Sequence, residues 1–211
     1  KITAGAIDVD GKLDEAIWQS IPPGGDFIEF QPDDGTPPSH PTEFRILYDD
    51  KFLYIGFRIF DPAPDSLVAR MGRRDEFPGD WVEINIDSYH DLRTAFSFTF
   101  SCSGVRGDEF ISNNGENWDS NWNPIWDGRS NIDSLGWTAE FRIPYSTLRY
   151  QSGSDEQTWG LNVARLIRRK NEESFWSFVP RQFNLYRMSL AGTLEGLTVP
   201  VRRVATVTPY V

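Results

Sequence analysis

The segment Asp80-Trp81-Val82-Glu83-Ile84-Asn85-Ile86-Asp87 sets three carboxylates close together in the chain. Carboxylates in pairs perform the acid and base steps of glycoside hydrolysis. The alternation of the segment, however, predicts a β-strand, with Val82, Ile84 and Ile86 on one face and Trp81, Glu83, Asn85 and Asp87 on the other. Glu83 and Asp87 then stand about 13 Å apart at the standard rise, farther than such a pair works across. The two histidines, His40 in a Pro-Ser-His-Pro loop and His90 in a polar turn, supply neither a triad nor a His-rich metal site. These residues predict binding rather than catalysis. A ring, an acid and an amide on one strand face suit a sugar, whose C–H face stacks on an aromatic while its hydroxyls take polar partners.

A second group of candidates lies between Asn113 and Trp126, where Trp118, Trp122 and Trp126 alternate with Asn114, Asn117, Asp119, Asn121 and Asn123. The binding interpretation is a stacking platform with amide hydrogen-bonders; the plainer one is that the indoles fold back to plug the end of the domain. As a set they are expected to leave at least one ring exposed. The basic run Arg165, Arg168, Arg169 and Lys170, followed by Glu172 and Glu173, reads as a solvated hairpin end balanced by its own glutamates, ahead of a contact for acidic glycans. Asp8, Asp10, Asp14, Asp49, Asp50, Asp61 and Asp65 fall at strand ends and turns, and hard oxygens gathered in turns are what Ca²⁺ coordinates. Any single one of them more commonly caps its own backbone.

Composition narrows the partners. The chain of 211 residues has 21 Lys+Arg against 31 Asp+Glu, a formal charge of −10. That charge excludes nucleic acid and disfavours an anionic membrane as the main partner. Cys102 is the sole cysteine, so no internal disulfide forms and cysteine-rich zinc chemistry is excluded. No apolar run approaches the roughly 20 residues of a membrane-spanning helix. The chain begins at Lys1 with a strand-like run, which suits either a mature exported domain or a trimmed one. Aromatic residues reach 14%, which fits both a packed β-core and a sugar-stacking surface.

The elements that must position these residues are short, alternate with period two, and are bounded by Gly, Pro, Asn or Asp. Thr42 to Tyr48 and Phe52 to Phe60 flank Asp49-Asp50-Lys51 as a hairpin. Trp81 to Asp87 and Thr94 to Ser101 are expected to be neighbours. Trp137 to Ile143 ends at Pro144, which cannot donate to a ladder. Trp159 to Ile167, Ser174 to Val179, Ala191 to Leu197 and Val201 to Tyr210 bring the total to about ten. Asp14 to Ser20 and Ser146 to Arg149 are expected to make single helical turns. The predicted class is all-β, an antiparallel sandwich of two sheets. Residues 1–200 form the domain, and 201–211 are a last strand or a run-in to a further region.

Ile7-Asp8-Val9-Asp10-Gly11-Lys12-Leu13-Asp14-Glu15-Ala16-Ile17-Trp18 resembles the opening of family 9 carbohydrate-binding modules. Tyr48-Asp49-Asp50-Lys51-Phe52-Leu53-Tyr54, the Asp80 to Asp87 block, and Gly136-Trp137-Thr138-Ala139-Glu140-Phe141-Arg142-Ile143-Pro144 follow in that family's order. Leu148-Arg149-Tyr150 and Trp159 to Arg165 are similar to a subgroup found at the N-terminus of large Gram-negative outer-membrane β-barrel proteins. The resemblance implies a jelly-roll-like sandwich, a non-catalytic role binding an oligo- or polysaccharide, export to the periplasm or cell surface, and its own C-terminal barrel as a further partner. It implies Glu83 as the acidic sugar contact and Phe77 as one aromatic plane, with Trp81 and Asn85 beside them; Trp176 or Tyr186 would give the second plane. Trp118 and Trp122 complete the candidate carbohydrate contacts. The strand Thr94 to Ser101 departs from the family, carrying Phe, Ser and Thr where its sugar binders place an amide and an arginine. Structural Ca²⁺ is implied too, with Asp61 in Phe60-Asp61-Pro62 the first choice, then Asp8 and Asp10. The competing interpretation, from a different class, is an interaction or plug domain that packs on its own barrel or a partner and binds no sugar.

Overall fold

A computed structural model describes residues 1–151 and 156–199. Its strands are β1 (Ile28–Gln31), β2 (Thr42–Tyr48), β3 (Phe52–Phe60), β4 (Trp81–Asp87), β5 (Ala95–Ser101) and β6 (Arg106–Ser112). After these come β7 (Asn117–Asp119), β8 (Asp127–Asp133), β9 (Gly136–Pro144), β10 (Gln157–Ile167), β11 (Glu172–Phe175) and β12 (Gly192–Leu197). One sheet runs β1-β11-β10-β4-β5-β6-β7, with β12 also pairing with β10, and the other runs β2-β3-β9-β8. Every pairing is antiparallel, so the molecule is the expected two-sheet sandwich.

The inner faces are the apolar faces read from the alternation. Val82, Ile84 and Ile86 of β4 and Phe96, Phe98 and Phe100 of β5 meet Leu53, Ile55, Phe57 and Ile59 of β3 and Trp137, Phe141 and Ile143 of β9. Trp126 closes this core from a loop. Its ring lies edge-on to Phe98 at 5.4 Å and tilted against Phe141 at 5.2 Å, the offset geometries that aromatic quadrupoles favour.

Two buried charges tie the outer segments to the sheets. Glu140 of β9 projects onto the outer face of the smaller sheet, where its Oε2 accepts the backbone N–H groups of Asp10 and Gly11 and its Oε1 the indole N–H of Trp18. The opening block and the Gly136 to Pro144 block therefore meet at one carboxylate. Gly11 sits at φ +93°, and a Cβ there would come within 2.8 Å of the Ser130 backbone, so only glycine makes this approach. Arg165 of β10 bridges the sheets, donating to the carbonyls of His40, Pro41 and Phe60 and to Thr42 Oγ1.

The basic run from Arg165 to Lys170 is thus not simply a solvated hairpin end. Arg165 is buried, Arg169 forms a two-pronged pair with Asp61, and Glu172 accepts from Ser39. Four strands run beyond the pattern read from the sequence: β1, β6, β7 and β8. Each mixes polar and apolar residues on both faces, or lies at a sheet edge, so no clean period survives. Ser146 to Arg149 forms a turn rather than a helix, and the helix near the N-terminus shrinks to α1 (Ala16–Gln19). The strand expected at Ser174 to Val179 stops at Phe175 because the chain there turns back over the sheet. The last expected strand, from Val201, and the division at residue 200 fall outside the described residues.

Replacing Glu140 with Leu removes the acceptor of three donors at once, two of them, Gly11 N–H and the Trp18 indole N–H, buried. Chemical denaturation should show a loss of about 3 kcal/mol, from the penalty for unsatisfied buried groups; an unchanged midpoint would show that the opening segment is held by its apolar contacts alone.

Candidate functional site

The polar face of β4 is central in the larger sheet, so its neighbours come from four flanking strands. Glu83 stands opposite Ala164 of β10 and Thr99 of β5; Asn85 stands opposite Asn162 and Ser97. Paired residues point to the same side, which places Glu109 of β6 on this face beside Ser97, and Phe175 of β11 beside Ala164. Gly107 continues the row from Thr99, and a Cβ added there would meet the Phe77 ring at 2.5 Å. Phe77 therefore lies over the sheet about two strand spacings, or about 10 Å, from the Glu83 column.

This face was expected to be open because the core needs only the other one. Instead it is roofed by the chain between β11 and β12. Val179 and Leu185 pack on Ala164 and Phe175, and Met188 packs on Ala95 and Ile111. Glu83 is only 4% exposed and Asn85 fully buried. Their polarity survives because they satisfy one another: Ser97 Oγ donates to Glu83 Oε1 at 2.8 Å and Asn85 Nδ2 donates to the same oxygen at 3.1 Å. Burial still dominates, and it pushes the Glu83 carboxyl up to about 7.

The roof leaves a pocket of about 360 Å³ beside Trp81, lined also by Glu83, Glu173, Phe30, Phe183 and Tyr186. Phe30 stacks on Phe175 at 4.6 Å and stiffens one wall. Glu173 takes a hydrogen bond from Gln31 Nε2 at 3.1 Å, and its own burial raises it to about 7. Tyr186 sits beside Glu83 and Glu109, whose negative charge, with burial, raises the phenol well above its ordinary range. Aromatic planes with acceptors between them can hold a pyranose by stacking and hydroxyl bonds together.

The expected contacts divide accordingly. Phe77, Trp81, Glu83, Asn85 and Tyr186 share one face, with Trp81, Glu83 and Tyr186 lining the pocket and Asn85 outside its lining, farther along β4. Trp118 is the exposed ring of its group, at 56%, and lies 6.2 Å from the Tyr186 ring, centroid to centroid. Trp122 is turned inward onto Phe96 and Phe98, and Trp126 is core. Trp176 packs edge-on against Phe44 in the core and gives no second plane; Tyr186 and Phe183 stand there instead. Phe30, Phe183, Glu109 and Glu173 were not anticipated. Alternation within β6 would have put Glu109 on the face of Glu83, whereas the roof residues carry no periodic signal.

Asp87 does not serve as an acid–base partner for Glu83, because its carboxylate accepts the backbone N–H groups of Asp91 and Leu92 and caps the following turn. At Asp61, burial favours the neutral acid, yet the hydrogen bonds from Arg169 outweigh it and hold the carboxyl below its ordinary value. With both oxygens on one guanidinium, Asp61 does not fit a calcium ligand. Asp10 caps and pairs with Lys12, and Asp8 is exposed. Among the described residues no group of three or more His, Cys, Asp or Glu is placed to share an ion. A second concavity, of about 460 Å³, lies over the smaller sheet between Lys12, Arg58 and Phe60. Its charges are already spent on each other, since Arg58 grips Asp133 with two bonds of 2.7 Å and covers the Phe60 ring.

Fold and pocket together define a two-sheet antiparallel β-sandwich with a concavity over the outer face of its larger sheet. The family described as "Carbohydrate family 9 binding domain-like" matches residues 9–174, and the chain belongs to that family. Among solved structures it is similar to a family 9 carbohydrate-binding module from Caldicellulosiruptor kristjanssonii in complex with cellotriose, at 16% identity and TM-score 0.63, over 97% of this chain and 96% of that one. The same module in complex with glucose gives 16% identity and TM-score 0.64, over 99% and 98%. A Bacteroides uniformis protein proposed to bind carbohydrate gives 16% identity and TM-score 0.71, over 92% and 94%. No curated protein matches the chain. At these identities the likeness shows the fold.

Glu83 and Glu173 keep protons toward pH 7 in the folded chain but titrate near their ordinary 4.5 once unfolded. The native state then binds the extra protons, so their contribution is fullest below pH 4.5 and is lost as the pH rises toward 7. Glu140, raised likewise by burial, acts with the same sign. Melting temperature should accordingly fall between about pH 4.5 and pH 7 and level off above, and Glu83→Gln should flatten that fall; a rising profile that the variant leaves untouched would contradict the buried carboxyl.

Proposed function

We propose that the chain is a non-catalytic glycan-binding domain whose ligand enters the pocket beside Trp81. The observation that carries this reading is the juxtaposition of Trp81, Phe183 and Tyr186 with the buried Glu83 carboxyl at one concavity. Membership of the family, and structural neighbours in complex with cellotriose and glucose, support it. Trp118, exposed beside Tyr186, extends the surface toward a second sugar unit. The wider setting belongs to the proposal as well: an exported domain of a larger outer-membrane protein, supported by the resemblance of Trp159 to Arg165 to that subgroup. Structural Ca²⁺ at the turn aspartates Asp8 and Asp10 is a separate proposal, supported by the family resemblance.

Calorimetric titration against neutral, amino and acidic oligosaccharides tests the glycan reading. Trp81→Ala should weaken binding about tenfold, or ~1.4 kcal/mol, with the melting temperature within a few degrees of the parent. Absence of binding to every sugar, with tight association to the region that follows Val211, would support an interaction domain instead. For calcium, EDTA should lower the melting temperature and added Ca²⁺ restore it; an identical curve would leave the aspartates as turn caps.

A further inference from the structure

We propose that the ligand of this pocket carries positive charge: an oligosaccharide with free amino groups, a de-acetylated hexosamine chain, in preference to neutral or acidic glycans. The inference rests on the glycan reading of the pocket and names the chemical class within it.

The donors that reach the carboxyls here are neutral: Ser97 and Asn85 on Glu83, Gln31 on Glu173 and Tyr186 on Glu109. Glu83, Glu109 and Glu173 stand near enough that the charges of Glu109 and Glu173 both disfavour ionisation of Glu83. None of the three belongs to any ion pair among the described residues. The nearby cations form no ion pair with them: Arg168, whose charge eases Glu173, gives its Nη2 to the Phe77 carbonyl and leaves its Nε without a partner, Arg181 binds the Pro32 carbonyl, and Arg187 lies over the Phe183 ring at 4.5 Å. On the sheet face the other neighbours are Ser97, Thr99, Ala164, Leu166 and Asn85, which are all uncharged.

The cation that fits is organic. Among the described residues the carboxylates do not converge as metal ligands do, and a space of about 360 Å³ suits a sugar ring better than a bare ion. An ammonium offers three donors and one charge, and it favours the ionised, acceptor-only form of the carboxyls that burial otherwise keeps protonated toward pH 7, while Trp81, Phe183 and Tyr186 give it ring faces that favour cations. N-acetylation removes the charge and leaves a single N–H. A uronic acid would set a fourth carboxylate among three.

Three β-1,4 trimers, of glucose, glucosamine and N-acetylglucosamine, differ only at C2 and make the comparison direct. By calorimetry at pH 6 the glucosamine trimer should bind at least tenfold more tightly than the other two, with proton release visible as buffer-dependent heat. The margin should shrink in 0.5 M salt, on the order of a Debye length of 3–5 Å. Glu173→Gln should cut it to about threefold or less, and Glu109→Gln gives the same reading should that variant fold poorly. Equal affinity for the three trimers would overturn this inference while leaving glycan binding standing. Failure of every sugar would overturn both. Trilysine binding as tightly as the glucosamine trimer would overturn the sugar class in favour of a basic peptide.

Discussion

A carboxyl group buried in the middle of an eight-stranded sheet must be satisfied without a countercharge, and the architecture around Glu83 follows from that constraint. The outer face of a central strand such as β4 is free to meet water in an antiparallel sandwich. Here the chain after β11 crosses back over it, burying Val179, Leu185 and Met188 on the few apolar positions the face provides. Where those positions end, around Trp81 and Glu173, the roof cannot close without burying more charge. The pocket is the gap that remains. The proposed ligand site then lies where packing is incomplete, between a sheet that carries Glu83 and Glu173 and a loop that supplies Phe183 and Tyr186.

The same logic is applied to opposite ends elsewhere. Glu140 is as strongly shifted as Glu83, yet its two oxygens accept three hydrogen bonds, from the Asp10 and Gly11 backbone and the Trp18 indole, so it binds the chain's own opening segment. Arg165 has burial pulling it down to about 10 but is enclosed by four oxygens of the opposite sheet and its approach. Satisfied, these two charges are joints of the scaffold. The carboxyls at the pocket differ from them in being held by a few neutral donors, Ser97 and Asn85 on Glu83 and Gln31 on Glu173, at the wall of a cavity.

Much of the fold was legible because strands with one core face keep period two. Val82, Ile84 and Ile86, or Phe96, Phe98 and Phe100, could point only inward, and the sandwich follows from a handful of such segments. Glu83 and Trp81 were legible for the same reason, since the alternation puts them opposite the core. What alternation does not encode is whether a polar face meets water or a roof, so Glu83 and Asn85 look solvent-exposed in the sequence and are buried in the fold. Nor does it encode contacts made by irregular chain. Tyr186 and Phe183 reach the site through a loop whose path depends on tertiary packing, and Trp176, equally aromatic, points the other way because it follows directly on β11 and faces Phe44. Glu173 was hidden by its basic neighbours, which are absorbed by Asp61 and by backbone carbonyls.

The most direct measurement of the central claim is a ¹H–¹⁵N spectrum of the tryptophan indoles during titration with a glucosamine trimer. The chain has 8 such reporters distributed over core, rim and surface. A ligand in the roofed pocket should shift the Trp81 indole most, move Trp118 less, and leave the core indoles of Trp18, Trp137 and Trp159 in place. Shifts confined to Trp118 or Trp122, or a saturating ligand that leaves Trp81 unmoved, would contradict the account.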